Sequence, residues 1–172
     1  MGEYGFNIWG NTFPAEELPA PGTESEVAGV PFAFPARAVV GGDNVRCRGQ
    51  VVEVPPGDYD WIYLLGAAER RTEDHIGLLY ADGAERAEHL RMSDFWPETD
   101  ARFGEPLAFR TLALRYPRHT HAPHAPSIWQ QRSPVSVPGR LRALRLPDNP
   151  AMHVFALTLV QEPEKETSCA SN

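Results

Sequence analysis

Three of the six histidines fall within six residues of one another, at His119, His121 and His124. In an extended segment, residues two apart share a face, so His119 and His121 could converge on one ion or ligand. Pro123 would bend the chain and bring His124 to them. Three imidazoles with an open coordination position suit zinc, copper or iron. Without a metal, His119 or His121 could act as a base, and a segment this rich in His and Pro also serves as a plain solvated loop. Arg115, Arg118 and Arg132 bracket the segment, and no acidic residue occurs from 115 to 132. That edge is expected to be locally basic and to suit an anionic ligand.

Aromatic residues extend the candidate set. Trp129 stands directly before Gln130, Gln131 and Arg132, Trp96 closes the run Ser93-Asp94-Phe95-Trp96, and Tyr63 lies inside an apolar stretch. Such rings either pack in a core or stack on the apolar faces of sugars, whose hydroxyls Arg, Asp, Asn and Gln bind. The residues expected to hold a ligand are Tyr63, Trp96, Arg118, His119, His121, His124, Trp129 and Arg132. No catalytic residue, metal ligand or cofactor is assigned. A glycosidase needs two carboxylates across a cleft, one with a raised pKa. The pairs Glu16-Glu17, Glu24/Glu26, Asp58/Asp60 and Glu73-Asp74 fall in apparent turns. Asp94, the best candidate for a buried carboxylate, is expected to cap its corner through backbone N–H groups. Nucleophile elbow, phosphate loop, dinucleotide fingerprint and Cys-x-x-Cys are all missing.

Composition bounds the partners. The chain has 172 residues, 16 Lys+Arg against 23 Asp+Glu and a net charge of −7. Such an acidic balance argues against nucleic acid or an anionic membrane surface, and no apolar run approaches the ~18–20 residues of a spanning helix. Fifteen of the basic residues are Arg and one is Lys165, a bias that GC-rich coding explains and that also favours bidentate anion contacts. Cys47, between Arg46 and Arg48, and Cys169, in a polar tail, are expected to be free thiols of a reducing compartment. The first residues show no signal-peptide pattern, so a cytoplasmic protein is expected.

The elements that must position these groups read as β. Pro and Gly recur about every ten residues, with short apolar or alternating runs between them. Strands are expected at 5–8, 30–34, 44–54, 61–66, 75–80, 87–91, 108–116, 128–134, 140–146 and 153–159. Asp82-Gly83 predicts a hairpin; Gly10-Asn11, Pro55-Pro56-Gly57-Asp58 and Pro147-Asp148-Asn149-Pro150 predict turns. Residues 15–18 and 67–73 are expected to form turns. The runs 61–65 and 152–159 carry bulky groups on both faces, so a loop, a partner subunit or a ligand must cover the second face.

Several segments together are similar to a known architecture. These are Gly5–Gly22, Val27–Pro35, Gly41–Glu69 with Asp43-Asn44 and Leu64-Leu65-Gly66-Ala67, Gly77–Glu85, Leu90–Trp96 and Leu144–Val160. In this order they resemble the galactose-binding-like, jelly-roll β-sandwich domains that accompany catalytic domains in actinobacterial glycoside hydrolases. The resemblance implies one all-β sandwich; the strand runs make about ten strands over residues 1–161, and the polar composition of 162–172 predicts a disordered tail. It also implies non-catalytic binding of a carbohydrate or a glycosylated small molecule. The alternative is an accessory protein or enzyme of a biosynthetic pathway that holds an aromatic or polyketide-like substrate, with the His119–His124 loop as base or metal site. A homodimer through an exposed aromatic sheet face is a further expectation.

Overall fold

The computed structural model describes residues 5–34, 44–96, 100–121 and 124–162. Among them are thirteen strands and one short 3-10 helix (Ala15–Glu17). In chain order the strands are β1 (Glu24–Val27), β2 (Val30–Ala33), β3 (Val45–Arg46), β4 (Val51–Asp58), β5 (Trp61–Ala68), β6 (Thr72–Tyr80) and β7 (Glu85–Met92). They continue with β8 (Leu107–Arg110), β9 (Leu114–Tyr116), β10 (His119–His121), β11 (Ser127–Pro134), β12 (Arg140–Arg145) and β13 (Met152–Val160). A five-stranded sheet runs β3-β13-β5-β11-β8 and a four-stranded sheet runs β4-β12-β6-β7, while β1-β2 and β9-β10 are separate hairpins. The fold is a β-sandwich.

Alternation within β5 explains both cores. Ile62, Leu64 and Ala68 face the second sheet, where they meet Ile76, Leu78, Leu90, Met92, Leu141 and Leu144, with Met152 of their own sheet beside them. Leu65 and Ala67 face outward, where they pack with Trp129, Phe155, Phe6, Phe13, Phe32, Phe95 and Leu114. The second apolar face is thus covered from within the chain, by residues 6–13, the β1–β2 hairpin and the β9 segment. Burial of each Phe on that face is worth about 2 kcal/mol. This removes the reason for expecting a partner subunit or ligand there.

The structure revises several boundaries. Residues 44–54 are two strands, because Gly49 at φ 71° and the mutual bonds of Gln50 with Arg46 and Arg48 turn the chain from one sheet into the other. Residues 108–116 also divide, into β8 and β9. The expected turn at 55–58 is instead strand: β4 is an edge whose only neighbour is β12, where Pro costs no ladder bond on its free side. An irregularity opposite Leu141 and Ala143 takes up the extra length. Residues 5–8 form a turn closed by Phe6 N–H to Asn11 O and Gly10 N–H to Asn7 O, not a strand. Residues 67–73 belong largely to the β5 and β6 arms. The Asp82-Gly83 hairpin forms as its residue types dictate, with Gly83 at φ 89° and the Asp82 carboxylate accepting from Ala84 N–H at 2.9 Å. Asp43, Lys165 and Cys169 lie outside the described residues, and Glu162 bonds to Trp61 and Asp60.

Candidate functional site

The two ends of β11 carry the sequence-derived candidates. At its start lies the histidine edge. The Tyr116 and His119 rings, cross-strand partners in the β9–β10 hairpin, stack at 4.7 Å and 7°. His121 lies 6.2 Å from His119 and 4.2 Å from His124, edge to face. His124 in turn lies 5.9 Å from Trp96. His121 and His124 come together, while the expected pair of His119 and His121 stands 6.2 Å apart, with His119 drawn onto Tyr116. Among the described residues, no group of three His, Cys, Asp or Glu side chains could hold a metal ion. Arg118 sits exposed at the hairpin tip. Arg115 is paired with Glu16, and Glu17 accepts from Leu112 N–H. Acidic residues from a distant segment thus neutralise part of the edge that looked basic in sequence.

Trp129 is not a ligand platform. It is 3% exposed, packs in the outer core, and donates its indole N–H to Asp94 O at 2.9 Å. Its strand partner is Gly66 in the middle of the five-stranded sheet. Asp94 caps its corner as expected, accepting from Trp96 N–H at 2.9 Å. Burial raises its pKa against the pull of that N–H and of Arg70. Residues 93–96 are also anchored to the sheet by Ala68 N–H to Ser93 O and Phe95 N–H to Ala68 O, which fixes where Trp96 meets His124.

At the far end of β11 the chain builds a groove of about 580 Å³, within the ordinary range for a small-ligand site. Tyr63 and Arg132 are direct cross-strand partners on its wall. Around them stand Gln130, Gln131, Arg91, Phe103 and Glu105. Segment 103–106 crosses the open side of the sandwich between β7 and β11, held by Gln130 N–H to Pro106 O. The Glu105 carboxylate anchors it, accepting from Ser93 N–H (3.1 Å), Phe103 N–H (2.9 Å) and the Gln131 amide (2.9 Å). Burial alone would push that carboxyl up. The donors from Ser93, Gln131 and Phe103 outweigh burial and hold it below the usual carboxylate range. The Gln130 amide donates to Val27 O at 3.1 Å and ties the β1–β2 hairpin to the wall. Beside it, Ala28 at φ 46° closes the hairpin turn and lines the groove.

Sequence reading brought Tyr63 and Arg132 into the candidate set but missed Arg91, Phe103 and Glu105. Their signals are faint: an acid between Gly104 and Pro106, and two adjacent glutamines directly after Ile128 and Trp129. His153 is a further buried titratable group. It is 1% exposed, its Nδ1 lies 2.7 Å from Asn44 Oδ1, its ring stacks on Phe6 at 3.9 Å, and its Nε2 finds no hydrogen-bond partner among the described residues. Desolvation, aided by the charge of Arg46, lowers its pKa to about 3. Cys47 is a free, buried thiol pushed up to about 12 by desolvation and by the charge of Asp74, so it is an unreactive core group. Among the described residues, no helix is long and apolar enough to cross a membrane.

The family model for the AziU2-like beta-sandwich domain matches residues 1–163. The chain belongs to that family. No curated protein matches it.

Proposed function

We propose that this AziU2-like beta-sandwich protein is a non-catalytic, cytoplasmic binding protein for a small hydroxylated ligand, a carbohydrate or glycosylated metabolite of a biosynthetic pathway. The observation that carries this reading is the groove beside Tyr63 and Arg132. It is large enough for a mono- or disaccharide-sized molecule and is lined by an aromatic ring, amides and guanidinium groups, the mixture that sugar recognition uses. Its floor polar groups are already hydrogen-bonded, so the wall is organised before a ligand arrives. The likeness of the sequence to galactose-binding-like sandwiches is the reason for placing sugars first.

A thermal-shift series against neutral sugars and glycosides tests this, because a ligand that binds only the native state raises Tm by mass action. The expected result is a concentration-dependent rise that Tyr63→Ala abolishes. A rise that survives Tyr63→Ala but vanishes on replacing Trp96 would move the site to the other end of β11. There the ring series Trp96, His124, His121, Tyr116 and His119 favours a second reading, an aromatic or polyketide-like ligand stacked on that edge.

A further inference from the structure

Two guanidinium groups reach the groove, and both lie over aromatic rings. Arg132 Cζ is 4.5 Å from the Trp61 ring centroid, and Arg91 Cζ is 5.3 Å from that of Phe103. Stacking occupies the face of a guanidinium and leaves the N–H groups on its edge pointing outward in a fixed fork. Three arginines elsewhere in this acidic chain find carboxylates: Arg46 pairs with Glu69, Arg115 with Glu16 and Arg145 with Glu85. Among the described residues, Arg91 and Arg132 take part in no ion pair.

The carboxylates in the groove form no ion pair with them. Glu105 accepts from three N–H donors. Glu88 accepts from the Ser136 N–H and hydroxyl. His89, also in the lining, faces Glu73 at 3.2 Å. The groove therefore presents two pre-oriented cationic forks, with its own acids turned to other donors. A planar two-oxygen anion is the chemical complement of such a fork.

Resting on the groove-binding reading above, we infer that the ligand carries a carboxylate, as a sugar acid or an aryl acid, which Arg91 and Arg132 receive while Tyr63 contacts the body of the molecule. The test is an NMR titration of 15N-labelled protein with two matched pairs: galacturonate against galactose, and 4-hydroxybenzoate against 4-hydroxybenzamide. Each is run with wild type, Arg132→Ala, Arg91→Ala and the double variant. Both arginines are exposed, so the variants are expected to fold, and the unperturbed part of the spectrum checks that directly.

The expected result is that at least one acid shifts groove resonances and binds about tenfold or more tightly than its neutral partner. That preference should fall to about twofold or less in the double variant and weaken with added salt. The pair that responds identifies the sugar or the aryl acid as the source of the carboxylate. Equal binding of acid and neutral partner in the groove overturns the inference and leaves the groove reading standing. An acid preference that survives the double variant also overturns it. Silence of the groove to all four probes overturns both.

Discussion

The two ends of β11 hold polar side chains in opposite ways. At the start of the strand, His119 stacks on Tyr116, His121 meets His119 and His124 edge to face, and His124 lies beside Trp96, with His119 and His121 exposed. At the far end, Gln130, Gln131 and Glu105 are buried and bonded, and the groups meant for a ligand stand above them. The first arrangement can adapt to what touches it but holds nothing in a fixed place. The second fixes its geometry in advance and depends on complete hydrogen bonding, because an unpaired buried group is costly. The difference separates a display of chemistry from a built site.

The largest predicted effect strikes the built end. Glu105→Ala leaves Ser93 N–H, Phe103 N–H and the Gln131 amide without their shared acceptor. Loss of about 3 kcal/mol or more in urea denaturation is expected, together with loosening of segment 103–106 in hydrogen exchange. A loss below about 1 kcal/mol would show that water replaces the carboxylate, and the contrast between the two ends would fail.

A second prediction uses pH to separate buried from displayed histidines. His153 has a folded pKa of about 3, against about 6.5 in an unfolded chain. Between these values the unfolded chain takes up the proton and the native one does not. The contribution is fully present above about pH 6.5 and is lost progressively as pH falls toward 3, reaching about 2 kcal/mol of lost stability at pH 5. Glu105 acts in the same direction lower down, since its native carboxyl is held ionised and that advantage disappears through the carboxylate range. His153→Gln should flatten the stability profile between about pH 6.5 and 5 and reduce its slope from there down to about pH 3, leaving the carboxylate contribution. An unchanged slope in that variant would assign the acid sensitivity elsewhere.

Trp129 joins the two ends, and Trp129→Phe gauges how far they are coupled. The substitution removes the bond to Asp94 O, and a loss of about 1 kcal/mol is expected. It should also shift Trp96 and His124 resonances, because Asp94 positions Trp96. If those resonances stay still, the 93–96 corner is held by its other bonds, those to Ala68 and Glu105 among them.

What could be read from the sequence follows the same division. The strand runs, the Asp-Gly hairpin and the apolar double face of β5 are local patterns, and they carried the sandwich. Tyr63 and Arg132 were legible as residue types, but not as cross-strand neighbours. The groove joins Ala28, Tyr63, Arg91, Glu105 and Gln131 from five separate segments, and no local spacing encodes that meeting. Trp129 misled because alternation cannot say which part of a face the rest of the chain will cover. The acid-free stretch from 115 to 132 misled because Glu16 reaches Arg115 from about a hundred residues away.

The smallest predicted effect is at the histidine edge itself. His119→Ala and His121→Ala together remove the Tyr116–His119 stack and the His121–His124 contact, both on an exposed three-residue strand. Each exposed ring contact is worth a few tenths of a kcal/mol, so the double variant should lose no more than about 0.5 kcal/mol in urea denaturation. Ligand response in the groove should not change, since no residue of that edge lines it. A loss of several kcal/mol would mean that the ring series supports the fold as Glu105 does. A change in groove binding would mean that β11 transmits what happens at one end to the other.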